Sequence, residues 1–260
     1  MAAELGTSFN LDHALQYGLL PLVINSVDID DALQSYVALY VKEEVQMEGQ
    51  VRNIGNFSRF LEAVSFSHGS VLSISEVSRE CEVGRKTVEG FINILEDILL
   101  SFRIPVFSKR AKRKLIKHPI FYFFDAGIFR SLRPSGPLDT PSEIGGSFLE
   151  GLVAQHIRAW NAYSGNMYTL SFWRTKSGVE VDFVVYGDGG LWAVEVKNKN
   201  NIHSKDLKGL RTFMEDYPGA RAFLLYRGED KLRIKGIPCL PCSEFLKGLQ
   251  PGQSFDAGVF

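Results

Sequence analysis

Cysteine is scarce, with only Cys81, Cys239 and Cys242 in 260 residues. Three is too few, and odd in number, for a disulfide framework, so a cytoplasmic protein is expected. No apolar run is long enough to span a bilayer, and the N-terminus lacks the pattern of a signal peptide, so no membrane partner is expected. There is no Gly-x-x-x-x-Gly-Lys-Ser/Thr, hence no phosphate-cradling loop and no nucleotide site of the chain's own. Internal repeats and low-complexity tracts are missing. A strong net charge is missing too, the total being −1.

What is present begins with a chain that is 45% hydrophobic, ample for one or two cores. The near-zero charge conceals an asymmetry. Residues 1–67 hold three basic and nine acidic residues, a sum of −6, whereas residues 68–135 hold twelve and seven, a sum of +5. A basic block inside a neutral protein points to a polyanionic partner.

Residues 1–29 read as a linker with a docking run at Leu19–Val23. Helical spacing predicts helices over 30–48 (Leu33, Tyr36, Val37, Tyr40, Val41, Val45) and 53–67 (Phe57, Phe60, Leu61, Val64). A short helix over 73–82 opens with Ser73 and Glu76 at capping-box spacing. Val83-Gly84 breaks it, and a longer helix over 85–100 follows. Short helix, Gly turn and longer helix is the layout of a helix-turn-helix. Two β-like segments, 102–107 and 115–124, flank Lys109-Arg110-Ala111-Lys112-Arg113-Lys114, as a winged helix with a basic wing would have them. Residues 30–130 thus read as a helical winged-helix domain. Residues 131–142, with three Pro and one Gly, read as the linker. Residues 143–250 then give a helix at 143–162, strands near 168–174, 179–186 and 191–197, a helix near 204–216 and a strand near 221–226. That α-β-β-β-α-β order implies an α/β sandwich, and the chain as a whole is of α/β (α+β) class. Residues 251–260 read as a loose tail.

Two of those strands carry charge where a buried strand should not. Alternation puts Glu180, Asp182 and Val184 on one face and Val181, Phe183 and Val185 on the other; on the next strand Glu195 and Lys197 share a face. The intervening Gly187-Asp188-Gly189-Gly190 is hairpin-like, so the two polar faces can meet. Two carboxylates suit Mg²⁺, with Mn²⁺ as substitute, which takes one or two carboxylates plus waters and phosphate oxygens. Lys197 could orient an attacking water or counter charge on a phosphate. Glu150 would be a third acid if its helix packs over the sheet, and Arg174 and Lys176 could hold flanking phosphates. The same residues could also form only a salt-bridge cluster on an amphipathic hairpin.

This set resembles the PD-(D/E)xK, or restriction-endonuclease-like, superfamily. The resemblance implies a nuclease-like domain with Asp182, Glu195 and Lys197 as its motif, Glu150 as its helical acid, and metal held by Asp182, Glu195 and Glu150. Val181 stands where a Pro often precedes the Asp. The whole chain is also similar to the region following the ATPase module in a group of prokaryotic AAA+ proteins. The matching segments are Leu15–Pro21, Tyr36–Val45, Arg52–Phe57, Thr87–Asp97, Phe124–Gly127 and Phe172–Lys197. That resemblance implies a C-terminal region whose ATPase half is absent here, as in a fragment or a split gene product, with an ATPase module as partner.

Between 101 and 120 there is no acid, and Arg103, Lys109, Arg110, Lys112, Arg113, Lys114 and Lys117 gather there. Such a run would bind DNA phosphates with salt-dependent affinity. Arg85 and Lys86 open the helix that a helix-turn-helix presents to DNA. The alternative is a helix pair used for packing, or a protein-interaction or assembly module that could oligomerise. Cys239-Leu-Pro-Cys242 has redox or zinc spacing but lacks a second pair. The expectation is a DNA-binding effector region with an Mg²⁺-dependent endonuclease site, or else a catalytically silent DNA-binding or protein-interaction module that targets the ATPase.

Overall fold

The computed structural model describes residues 1–40, 53–134, 136 and 141–259. The latter part of the helix expected over 30–48, Arg52, and residues 135 and 137–140 of the linker expected over 131–142 lie outside the described residues. The chain forms two compact units. A helical unit comprises residues 12–103 and 118–151, and an α/β unit comprises residues 1–11, 104–117 and 152–260. This partition differs from the domains expected above, because both the chain start and the basic segment count with the α/β unit. The α+β class is as expected.

In the helical unit, α1 (Leu11–Tyr17), α2 (Pro21–Ile24) and α3 (Ile29–Ser35) precede α4 (Ile54–Ser65). Asp28 caps α3 through Asp31 N, and Asn53 caps α4 through Asn56 N. Strand β1 (Ser70–Val71) leads to α5 (Ile74–Glu80), capped by Ser73, and then α6 (Arg85–Asp97). Strands β2 (Ser101–Ile104) and β3 (Ile120–Phe123) complete a small sheet of order β1-β3-β2. Phe57, Phe60 and Phe91 pack ring on ring at 5.2–5.7 Å in its core.

Helix α7 (Ala126–Leu132) begins at Asp125, which is 1% exposed. Its Oδ1 accepts from Gly127 N at 2.8 Å and its Oδ2 from Leu19 N at 2.7 Å. A Cβ on Gly18 would stand 1.9 Å from Asp125 Oδ1, and one on Gly127 2.2 Å from Tyr17 O. The two glycines therefore permit a clasp that ties the 15–21 segment to α7. His68 is buried nearby: Phe123 N donates to its Nδ1 at 3.0 Å, and its Nε2 faces Ser147 O at 3.2 Å. Burial lowers its pKa to about 3, so it is neutral.

Helix α8 (Pro141–Tyr163) runs from one unit into the other. The α/β unit then adds β4 (Tyr168–Arg174), β5 (Glu180–Gly187), β6 (Gly190–Lys197), a 3₁₀ turn (Ser204–Leu207), α9 (Lys208–Asp216) and β7 (Arg221–Tyr226). Strands β8 (Leu232–Ile234) and β9 (Ile237–Pro241) and helix α10 (Cys242–Gly248) were not foreseen. The six-stranded sheet has the order β4-β5-β6-β7-β9-β8. The β4-β5-β6 meander is antiparallel, whereas β6-β7 and β7-β9 are parallel. Apolar residues of α9, Leu210 and Phe213, together with Leu207, cover Val181, Val184, Ala193, Ala222 and Leu224. A crossover helix must bury its apolar stripe on the sheet it bridges.

Residues 104–117 run along β4 and cover that sheet edge. Phe107 N donates to Phe172 O, Phe172 N to Pro105 O, Ile116 N to Arg174 O and Lys176 N to Lys114 O. The residues expected to form a basic wing are thus a strap on the α/β unit. Residues 251–259, expected as a tail, pack as well. Phe255 is 1% exposed, against Trp160, Trp192, Phe223 and Phe245, and Asp256 pairs with Arg221 at 2.5 Å. His156 is buried, accepting from Ala2 N and facing Leu152 O, with its pKa lowered to about 4 by burial.

Candidate functional site

The β5–β6 ladder fixes the position of the two acids. Phe183 pairs with Val194 and Val184 with Ala193, so the next step of the same register sets Asp182 across from Glu195. The paired stretch ends there, and Asp182 Oδ2 accepts from Val196 N at 2.7 Å. A side chain has taken over hydrogen bonding where the backbone ladder stops.

A bulge produces this exit. On the β4 side Ser171 faces Val184 and Trp173 faces Val181, so two residues of β5, Asp182 and Phe183, oppose Phe172 alone. Bulges bend a strand and re-aim its side chains. The strict alternation expected of β5 is corrected by this: Val181 and Val184, three apart, join the same core under α9. In β6 the alternation holds, and Glu195 shares its face with Ala193 of that core.

Glu195 is 4% exposed. Lys197 Nζ lies 2.5 Å from its Oε1, while Oε2 is buried with no hydrogen-bond partner among the described residues. Such an orphaned carboxylate oxygen is costly unless a cation completes it. Desolvation, followed by the neighbouring Asp182 charge, holds Glu195 well above the usual carboxylate range. Desolvation likewise raises Asp182 to about 6 against the pull of Lys197. Gly209 in the first turn of α9 makes room for this arrangement, since a Cβ there would stand 1.9 Å from Glu180 O and 3.4 Å from Glu195 Oε2.

Glu195 borders a cleft of about 230 Å³ lined by residues of the 177–180 turn and of the 3₁₀–α9 junction. Glu195, Lys197 and Glu180 line it. Two hard oxygen donors with an orphaned lone pair fit Mg²⁺ or Mn²⁺, which would still need water or phosphate oxygens to fill its sphere. No group of three or more His, Cys, Asp and Glu among the described residues is arranged to hold a metal.

The structure thus brings together Asp182, Glu195 and Lys197. Glu150 belongs to the helical unit, where its Oε2 lies 3.7 Å from where a Cβ on Gly69 would stand. Arg174 pairs with Glu180 at 3.3 Å. In the strap, Arg113 reaches Asp216 at 2.9 Å and Glu215 at 3.2 Å, Lys112 reaches Glu215 O at 3.4 Å, and Lys109 lies over the Tyr186 ring. Arg110, Lys114 and Lys176 are exposed on the same unit, and Arg85 and Lys86 are exposed at the start of α6. Cys239 and Cys242 are buried free thiols, with burial pushing Cys242 up to about 12. Burial thus disfavours the thiolate that metal binding or redox exchange needs.

Comparison with known families places the chain. The family model described as Domain of unknown function (DUF8612) matches residues 8–139, just over half of the 260. The chain belongs to this family. A second model, Domain of unknown function (DUF4143), matches residues 145–245, the stretch that carries Asp182, Glu195 and Lys197. No curated protein matches. Among solved structures, the crystal structure of protein VC1899 from Vibrio cholerae is similar at 14% identity and a TM-score of 0.30. It matches over 86% of this chain and 55% of that one, so the present chain spans about half its length. A likeness so slight supports no fold assignment.

Proposed function

We propose that this DUF8612 family member is a DNA-binding effector region of an AAA+ ATPase, and that its α/β unit carries an Mg²⁺-dependent site for phosphodiester hydrolysis. The observation that carries this reading is the buried, unpartnered Glu195 Oε2 beside Asp182 and Lys197. In this reading Asp182 and Glu195 hold the cation. When bound, Mg²⁺ or Mn²⁺ would supply Lewis-acid polarisation of a phosphate and acidification of water. Lys197 orients the attacking water or counters charge on the phosphate, in a site dry enough for one cation to matter. Burial and mutual repulsion keep a proton on the carboxylate pair when no cation is there. The cleft and the basic strap along β4 present positive charge to a phosphate backbone. The link to an ATPase rests on the resemblance of the whole chain and on DUF4143 domains occurring in the C-terminal region of AAA-ATPase-associated proteins.

A second reading is a catalytically silent module. It is favoured by the Lys197–Glu195 ion pair and by the internal pairing of Arg113 and Arg174. Cleavage of linear, single-stranded and branched DNA with Mg²⁺ or Mn²⁺, with Asp182→Ala alongside, separates the two. Cutting that the substitution abolishes is the expected result. Salt-dependent binding with no cutting by either protein would leave the silent module.

A further inference from the structure

The bases that line the cleft, or pair with the acids lining it, divide into engaged and unengaged groups. Lys197 is tied to Glu195, Arg174 to Glu180, and Lys199 to Asp206 at 2.7 Å. Asp206 is further held by His203 N at 2.8 Å. Lys205 and Lys208 also line the cleft and are exposed, yet neither makes an ion pair or side-chain hydrogen bond among the described residues. They lie three apart, Lys205 in the 3₁₀ turn and Lys208 at the start of α9, and both border the same cleft. Their nearest acid in sequence, Asp206, is already committed. The cleft therefore carries two lysines with no ion-pair partner among the described residues, beside the acids Glu195 and Glu180 that also line it.

We propose that Lys205 and Lys208 are the positioning residues of this site. They take the phosphates of a polynucleotide backbone and seat it across the Asp182–Glu195 pair. This rests on the function proposed above and adds to it two residues and a direction, the strand entering along the wall formed by the 3₁₀ turn and α9. A pair of acids able to hold a cation, beside two lysines that have no acid of their own, suits a chain of phosphates.

The test uses the full chain and a fluorescent single-stranded oligonucleotide, with affinity measured from about 50 to 200 mM salt. Lys205→Gln/Lys208→Gln should weaken binding roughly tenfold or more at low salt. It should also reduce the salt slope by about 1.4, since each phosphate of a single strand that a lysine neutralises adds about 0.7. Mn²⁺ binding should be unchanged, and an unchanged melting temperature would show that the fold is intact. The single variants, each at an exposed lysine, should fall between. Wild-type affinity and slope in the double variant would overturn the proposal while leaving the wider reading standing. A wild-type chain that does not bind the oligonucleotide would overturn both. Loss of Mn²⁺ binding together with DNA binding in the double variant would show that the lysines act by supporting the carboxylates, and would also overturn it.

Discussion

Replacing Asp182 by Asn should make the α/β unit more stable at neutral pH. The carboxyl is raised from 3.8 to about 6 in the folded chain, with desolvation the leading cause. A folded pKa above the unfolded one means that the native state binds more protons between about pH 4 and 6. Stability contributed by this group is therefore present in acid and is lost as pH rises through that window. Two pKa units correspond to a ceiling of ~3 kcal/mol. Asp182 keeps some solvent contact, which brings the expected gain to about 1–2 kcal/mol, or several degrees in Tm. Asn retains an oxygen to accept from Val196 N, so the ladder end is preserved. All three tryptophans, Trp160, Trp173 and Trp192, lie in this unit, so tryptophan fluorescence during urea unfolding reports on it selectively. At pH 8 the variant should unfold at higher urea than the parent, and the two should converge near pH 4. A variant equal to or weaker than its parent at pH 8 would refute the claim that the carboxylate is held at a cost to stability.

Other consequences are open to measurement. His68 and His156, with pKa values lowered to about 3 and about 4, bind protons in the unfolded chain before the folded one. Each should therefore remove stability as pH falls below about 6.5, by up to ~1.4 kcal/mol per pH unit. For the helical unit, amide exchange in α4 and α6 should show this acid slope, and His68→Asn should flatten it. Phe255→Ala should cost about 3–5 kcal/mol, read by tryptophan fluorescence, because the ring sits among Trp160, Trp192, Phe223 and Phe245. Gly209→Ala forces a methyl against Glu180 O and should cost about 1–3 kcal/mol while also disturbing the carboxylate pair, seen as altered Mn²⁺ affinity.

Legibility in the sequence followed how local the signal was. Strands β4, β5 and β6 and the helix over 204–216 came from short-range pattern and the Gly187–Gly190 turn, and they lie where expected. The meeting of Asp182, Glu195 and Lys197 followed from pairing two such strands. The bulge was invisible, because Val181-Asp182-Phe183-Val184 alternates without interruption as letters. The strap was misread as a wing because a run of bases next to Pro105 looks like an exposed turn, and the partners that hold it, Phe172, Arg174 and Asp216, lie far along the chain. The Gly18–Asp125–Gly127 clasp spans more than a hundred residues, so spacing could not reveal it; only the family resemblance drew those segments out. Nothing in the sequence singled out Lys205 and Lys208; only the ion pairs made by the neighbouring bases set them apart.

The central claim is that the buried pair holds a hard divalent cation. Isothermal titration of the full chain with Mn²⁺ at pH 7.5, in two buffers of different ionisation enthalpy, tests it directly. One site is predicted, with proton release on binding because Glu195 is held well above its usual range. That site should disappear in Asp182→Asn and in Glu195→Gln. No binding by the parent, or binding that both variants retain, would contradict the account.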